Sequence, residues 1–183
     1  MRIVSGQLRG RRFSPPDSFS ARPTTDFAKE NLFNVLNNMI DFEEVKVLDL
    51  FSGTGSISYE FASRGSRDIT SIELNYKHQQ FIAKTVCELN IEKAVRSLKG
   101  DSFKYVSATK EKFDIIFADP PFDLTEAEKL PDMIMKRGLL KEGGIFILEH
   151  SGKDKYNAHP YFLQTRNYGK VNFTFFGIET DEE

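Results

Sequence analysis

The tetrapeptide Asp119-Pro120-Pro121-Phe122 follows a continuous apolar run, Phe113–Ala118, and carries the most specific chemistry in the chain. Two adjacent prolines fix φ and remove two N–H donors. The loop is therefore rigid and offers acceptors, namely backbone carbonyls and the Asp119 carboxylate. A planar exocyclic NH2, on a base or an amide, is its complement. Accepting both N–H groups draws the nitrogen lone pair out of conjugation and makes it nucleophilic toward an electrophilic methyl. Phe122 can stack on the ring that bears the amine. The bland alternative is a strand that simply stops at two prolines.

A second motif, Asp49-Leu50-Phe51-Ser52-Gly53-Thr54-Gly55, ends the apolar run Val45–Phe51. Its glycines allow a sharp turn and close approach of backbone to a ligand. The helix that follows points free N–H groups at that ligand, which favours a carboxylate or phosphate. A lone G-x-G is weak, and the dinucleotide fingerprint fails because position 58 is Ser58 where a third glycine is required. Two further acids follow later strands. Glu73 is suited to accept both hydroxyls of a ribose, and Asp101 to accept from an adenine amino group. Each has an ordinary alternative: Glu73 as a strand-end acid facing water, Asp101 as the N-cap of the next helix. Together with Asp49 they fit an adenosine bound through ribose and base, its amino-acid moiety on the glycine turn.

The elements that must position these residues alternate. Strands are expected at Val45–Phe51, Ile69–Leu74, Val95–Lys99, Phe113–Ala118 and Ile145–Glu149, with helices near 56–64, 76–89, 102–107 and 126–137. Unbroken apolar strands separated by helices indicate a parallel sheet covered on both faces, whose ligands bind beyond the strands' carboxyl ends. Extended runs near 161–167 and 171–178 close the chain as a hairpin, turning at Tyr168-Gly169-Lys170. The fold class is α/β, a doubly wound Rossmann-like sheet, mostly parallel with an antiparallel C-terminal hairpin. Ahead of it lies a Gly- and Pro-rich arm whose segment Arg2–Phe13 permits a short hairpin, then an amphipathic helix over 26–39 capped by Thr24 or Thr25 with Asp26. The expected division is 1–40 for arm and helix and 41–183 for the catalytic domain.

Composition fits one compact unit: 183 residues, 39% hydrophobic and 28% charged, excluding a disordered or fibrous chain. Net charge is −2, yet residues 1–22 hold five arginines (Arg2, Arg9, Arg11, Arg12, Arg22) against Asp17 alone, while 179–183 hold four acids and no base. Such an arm can meet a phosphate backbone although the whole chain is near neutral. A single cysteine, Cys87, closes no intramolecular disulfide and is read as a packed core thiol; the opening residues contain no apolar run fit for a signal peptide. Cytoplasmic location is the expectation. His78, His150 and His159 share no metal-ligand spacing, so no metal is expected, and His150 is read as structural.

Asp49-x-Phe51-x-Gly53-x-Gly55 with Asp119-Pro120-Pro121-Phe122 resembles the S-adenosylmethionine-dependent N-methyltransferases. Met1-Arg2-Ile3-Val4-Ser5-Gly6, Gly10-Arg11-Arg12, Arg22-Pro23-Thr24-Thr25-Asp26 and Leu32-Phe33-Asn34-Val35-Leu36 narrow the resemblance to the RsmD family, bacterial methyltransferases of guanine N2 in 16S ribosomal RNA. The resemblance covers essentially the whole chain. It implies S-adenosylmethionine as cofactor, with Asp49, Gly53 and Gly55 on its methionine part, Glu73 on the ribose and Asp101 near the adenine. Phe51, Leu74 and Ser102 belong to the same cofactor site, and Thr24 and Thr25 close over cofactor and target. It implies that Asp119, Pro120, Pro121 and Phe122 hold the guanine, and that Arg9, Arg11, Arg12 and Arg22 contact the RNA. The expected partner is 16S ribosomal RNA within a small-subunit assembly particle, with the enzyme a monomer and no membrane involved.

Methyl transfer is expected to be direct and in line, without a covalent intermediate, the proton leaving to water. The loop alone does not separate guanine from a DNA adenine or a protein glutamine amide. A catalytically silent RNA-binding relative is a further alternative, and a dehydrogenase is disfavoured by Ser58.

Overall fold

The computed structural model describes residues 1–19, 24–152 and 154–178. Seven strands form one sheet: β1 Lys46–Leu50, β2 Asp68–Glu73, β3 Val95–Lys99, β4 Phe113–Ala118, β5 Leu140–His150, β6 Phe162–Tyr168 and β7 Val171–Phe176. Their order is β3-β2-β1-β4-β5-β7-β6. The first five run parallel, and β7 inserts antiparallel between β5 and the edge strand β6. The fold is the doubly wound Rossmann-like sheet with an antiparallel hairpin. Strand order reverses between β1 and β4, which opens a crevice beyond their carboxyl ends.

Helices α1 (Asp26–Leu36), α2 (Ser56–Ser63) and α3 (Tyr76–Glu88) share one apolar core with one face of the sheet. On the other, α4 (Ser102–Ala108) and α5 (Leu130–Lys136) pack through Val106, Leu130 and Ile134. α1 stops at Leu36, three residues earlier than its periodicity suggests, and ends in turns through Met39. The helix expected over 126–137 is two pieces, a 3-10 turn at Thr125–Lys129 and then α5. Pro131 accounts for the break, because a proline is tolerated in the first turn of an α-helix and not in its interior. Cys87 is exposed, correcting its reading as a core thiol. Ile82, Thr85, Val86 and Leu89 face inward, and residue 87 falls outside that stripe.

The arm is built onto the body. Ile3 N donates to Arg11 O (3.0 Å) and Gly10 N to Ile3 O (2.9 Å), closing a small hairpin with one antiparallel bridge, Arg2 to Arg12. It lies along α2, where Val4 N and Ser5 N donate to the Glu60 carboxylate (2.9 and 3.0 Å) and Gln7 N donates to Ser63 O (2.7 Å). Lys29 of α1 completes the clasp: its Nζ donates to Arg2 O (2.6 Å) and Ser56 Oγ (3.0 Å) and lies 3.7 Å from Glu60. Lys29 and Glu60 are both fully buried, and burial lowers the lysine pKa against the opposing pull of Glu60. Such a pair is stable only while both partners are present.

Gly6 sits at φ +84°, and a Cβ there would fall 1.9 Å from Ser63 O. Gly6→Ala is therefore expected to lift the hairpin from α2. A loss of about 2 kcal/mol, or roughly 4–8 °C in Tm, is expected in thermal denaturation.

Candidate active site

The crevice between β1 and β4 brings together residues from five segments. Leu50 and Ala118 are paired neighbours, so the residues around these strand ends meet at one point. Asp49 is almost wholly buried, and its Oδ2 accepts from Ser58 Oγ (2.6 Å). Ser58, which breaks the dinucleotide fingerprint, is thus the residue that orients Asp49. Burial pushes the Asp49 carboxyl up to about 7, and the nearby charge of Glu73 pushes the same way. Asp119 is partly exposed as a residue, with its carboxyl turned to the interior. Burial raises it well above the usual carboxylate range, and the charges of Glu149 and Asp49 add to that.

Glu149, near the carboxyl end of β5, is the member that reading the sequence missed. It is buried, its pKa is pushed up to about 7 by burial, and its Oε2 accepts from Thr24 Oγ1 at 2.8 Å. The signal was present: Ile145-Phe146-Ile147-Leu148-Glu149 is an apolar strand ending in an acid, like the β2 run that ends at Glu73. Thr24, just ahead of α1, lies beside Asp119 as well, where its side chain partly offsets the upward shift of that carboxyl, and its bond to Glu149 ties the arm to the floor of the crevice.

The glycine turn has the conformation its sequence requires. Gly55 caps α2 at φ +81°, without a side-chain cap, and a Cβ there would meet Tyr59 Oη at 2.4 Å. Phe51 is one of two non-glycine residues at positive φ among those described (φ 55°), a strained geometry of the kind that clusters at ligand sites. Its N–H donates to Ser102 Oγ (3.1 Å), and its ring meets Phe103 edge-on. Glu73 joins the turn to the next one: Oε2 accepts from Gly53 N (2.7 Å) and Oε1 from Asn75 N (2.8 Å). Each oxygen keeps a lone pair for a further donor. A cleft of about 460 Å³ opens beside it, lined by Ser18, Phe19, Asn75, Tyr76, Lys77 and His78. Leu74 is exposed near this cleft. Asp101 caps α4 by accepting from Lys104 N (3.0 Å), the role its alternative reading gave it.

Pro120 is buried, while Pro121 and Phe122 are exposed, so the loop turns from the crevice floor to its rim. His150 bonds Thr174 Oγ1 (2.6 Å) beneath the hairpin, a structural position. The arm's arginines are elsewhere. Arg9, Arg11 and Arg12 are exposed on the hairpin along α2, and Arg11 reaches Glu88 O at the end of α3. The hairpin turn lies beside Ser63, roughly 12 Å from the start of α2 at about 1.5 Å per residue. Arg22 lies outside the described residues.

Asp49, Asp119 and Glu149 have no cationic side chain beside them among the described residues, and no group there has metal-ligand geometry. A donor set of enclosed carboxylates next to an uncapped helix N-terminus fits a ligand bearing cations and a carboxylate together.

The model of the family described as Conserved hypothetical protein 95 matches residues 1–177. The chain belongs to this family, that of RsmD. The RsmD-family chain is 32% identical over 182 residues to ribosomal RNA small subunit methyltransferase D of Haemophilus influenzae, covering 96% of this chain and 93% of that one. Its fold superposes on a putative methyltransferase, yhhF, from Escherichia coli with a TM-score of 0.84 and 26% identity, over 96% of each chain. A 16S rRNA N2 methyltransferase from Thermus thermophilus, solved with AdoMet and guanosine, shares the fold at a TM-score of 0.67 and 22% identity, over 86% of this chain and 44% of that one. Among the described residues, no helix is long and apolar enough to cross a membrane.

Proposed function

We propose that this RsmD-family protein is an S-adenosylmethionine-dependent methyltransferase of 16S ribosomal RNA, acting on the exocyclic N2 of a guanine in a small-subunit particle. The observation that carries the reading is the convergence of Asp49, Asp119 and Glu149 on one crevice beneath a rigid proline loop. When bound, S-adenosylmethionine supplies an electrophilic methyl on a positively charged sulfur. Asp49 and the start of α2 hold its amino-acid end. Glu73 holds the ribose through its remaining lone pairs, and Asp101 lies toward the base.

Asp119 accepts N–H from the target amine, orients its lone pair and stabilises the positive charge that develops on nitrogen. Phe122, 53% exposed at the rim, covers the guanine ring from the open side. The proton leaves to water through that side. Cys87, exposed near the far end of α3, takes no part. Residues 1–40 form the RNA-facing extension, whose arginines grip phosphates away from the crevice.

Each phosphate neutralised contributes about −0.7 to the slope of log K against log salt on single strands. Replacing Arg9, Arg11 and Arg12 with alanine should flatten that slope by roughly 2, measured by RNA titration across salt concentrations. Deleting the gene and mapping N2-methylguanosine in small-subunit RNA by mass spectrometry tests the function itself. Loss of one mark, restored by the wild-type protein and not by Asp119→Ala, is the expected result. An unchanged methylation map would overturn it.

A further inference from the structure

Phe27, the second residue of α1, is 65% exposed, and the site described above makes no use of it. Its ring meets Tyr168 edge-on, with centroids 6.3 Å apart. Tyr168 ends β6 and pairs with Val171, next to Asn172, which is opposite His150 at the end of β5. The two rings therefore stand at the carboxyl edge of the sheet, where Asp119 and Glu149 also lie. Thr24, bonded to Glu149, is only three residues before Phe27.

From this pair a groove of about 450 Å³ runs between α1 and β6, lined by Asn31, Asn34, Asn38, Gln164, Arg166 and Tyr168 among others. Asn31 and Asn34 stand on α1, where Asn is a poor helix former, and Asn38 follows four residues on in the turn that ends it. Two of them spend an N–H on the helix itself: Asn31 Nδ2 donates to Phe27 O (2.8 Å) and Asn38 Nδ2 to Asn34 O (3.2 Å). Their carbonyl oxygens stay open to the groove. Arg166 donates through Nε to Gln164 Oε1 (2.9 Å), which leaves its outer nitrogens for another acceptor. The lining contains one cation and no acid, and Lys170 is exposed at the adjoining hairpin turn.

Aromatic faces, amide groups that donate and accept, and an unopposed guanidinium are what unstacked nucleotides require. From Phe27 to Leu36 the helix rises roughly 13 Å at about 1.5 Å per residue, and the groove continues past its end to Asn38, enough for a few nucleotides. We propose that this groove is a second RNA-binding surface, which holds the single-stranded nucleotides flanking the target guanine, with the Phe27–Tyr168 pair stacking on the first of them. This rests on the methyltransferase reading and adds a contact separate from the arginine hairpin, so that RNA is held at two places.

The test compares wild type with Phe27→Ala, Phe27→Trp and the double variant Asn34→Asp/Asn38→Asp. Binding is read by anisotropy of a fluorescent single-stranded oligoribonucleotide. Methyl transfer is measured on small-subunit particles reconstituted from unmodified transcript. Phe27→Ala is expected to weaken oligonucleotide binding about tenfold and to raise KM for particles similarly, with kcat and S-adenosylmethionine affinity within twofold of wild type and Tm unchanged. Phe27→Trp, which keeps a stacking face, should restore binding, and the paired aspartates should weaken it by charge.

RNA affinity and KM within twofold of wild type for both Phe27→Ala and the aspartate pair would overturn the groove. So would a wild-type dimer that Phe27→Ala dissociates, since the occupant would then be a second copy. If wild type methylates particles, Asp119→Ala does not, and the groove variants match wild type, the groove alone fails. If wild type leaves particles unmethylated, the methyltransferase reading fails and takes the groove with it.

Discussion

Asp119→Ala is expected to lower methyl transfer by about 10³-fold or more while S-adenosylmethionine affinity stays within a few-fold. The asymmetry follows from position. Asp119 follows β4, the side the proposed mechanism gives to the target amine, whereas Glu73 and the glycine turn sit at the ends of β1 and β2. Asp119→Asn should be nearly as damaging, because its NH2 would present a donor to a donor. Single-turnover rates with saturating particles, together with calorimetric cofactor titration, separate the two effects. Equal losses in rate and in cofactor affinity would mean that Asp119 serves cofactor binding instead. Only the ionised carboxyl accepts on both oxygens, and burial with two neighbouring acids raises its pKa well above the usual range. The acid limb of the rate profile should therefore lie well above that of an ordinary aspartate, moving down when cationic cofactor occupies the crevice.

Asp49→Asn should stabilise the ligand-free protein at alkaline pH while weakening S-adenosylmethionine binding by about 10- to 100-fold. Asp49 carries a folded-state pKa of about 7 against an ordinary value of 3.8, and Glu149 about 7 against 4.5. Both shifts are upward for acids, so between the two values the folded protein holds protons that the unfolded chain releases. Stability from these groups is complete below about pH 4, declines as pH rises toward about 7 and then levels. Asparagine removes the share due to Asp49 and can still accept from Ser58 Oγ, so the fall in Tm between acidic and alkaline buffer should shrink. Saturating S-adenosylmethionine should flatten the wild-type profile as well, because it brings the missing positive charge.

Strand positions were legible because Val47–Leu50 and Phe113–Ala118 are mostly apolar and, apart from Asp49 and Asp114, read as the near-continuous runs of a parallel sheet covered on both faces. The hairpin could be read from its turn at Tyr168-Gly169-Lys170. β5 was harder: it begins at Leu140, five residues before the apolar run, with a register shift where Gly143 and Gly144 interrupt the pattern. Pro131 was visible in the sequence, yet the apolar spacing across it suggested continuity, and proline chemistry prevailed. For the site, motif chemistry located Asp49, Glu73 and Asp119 but not what holds them. Ser58 appeared as a missing glycine and proved to be the hydroxyl that orients Asp49. Glu149 and Thr24 become partners across 125 positions of chain, and no local pattern encodes such a pairing.

The clasp of residues 1–13 on Glu60 and Ser63 has a bearing on how the protein is made. Synthesis delivers the amino-terminal segment first, but its anchoring carboxylate emerges some 55 residues later, as the separation of Ser5 from Glu60 records. Thr24 must wait longer still, until Glu149 has left the ribosome. A polypeptide truncated before β5 therefore leaves Thr24 without the acid that fastens it to the crevice floor. Completion of the fifth strand is the step that joins the two ends of the machine.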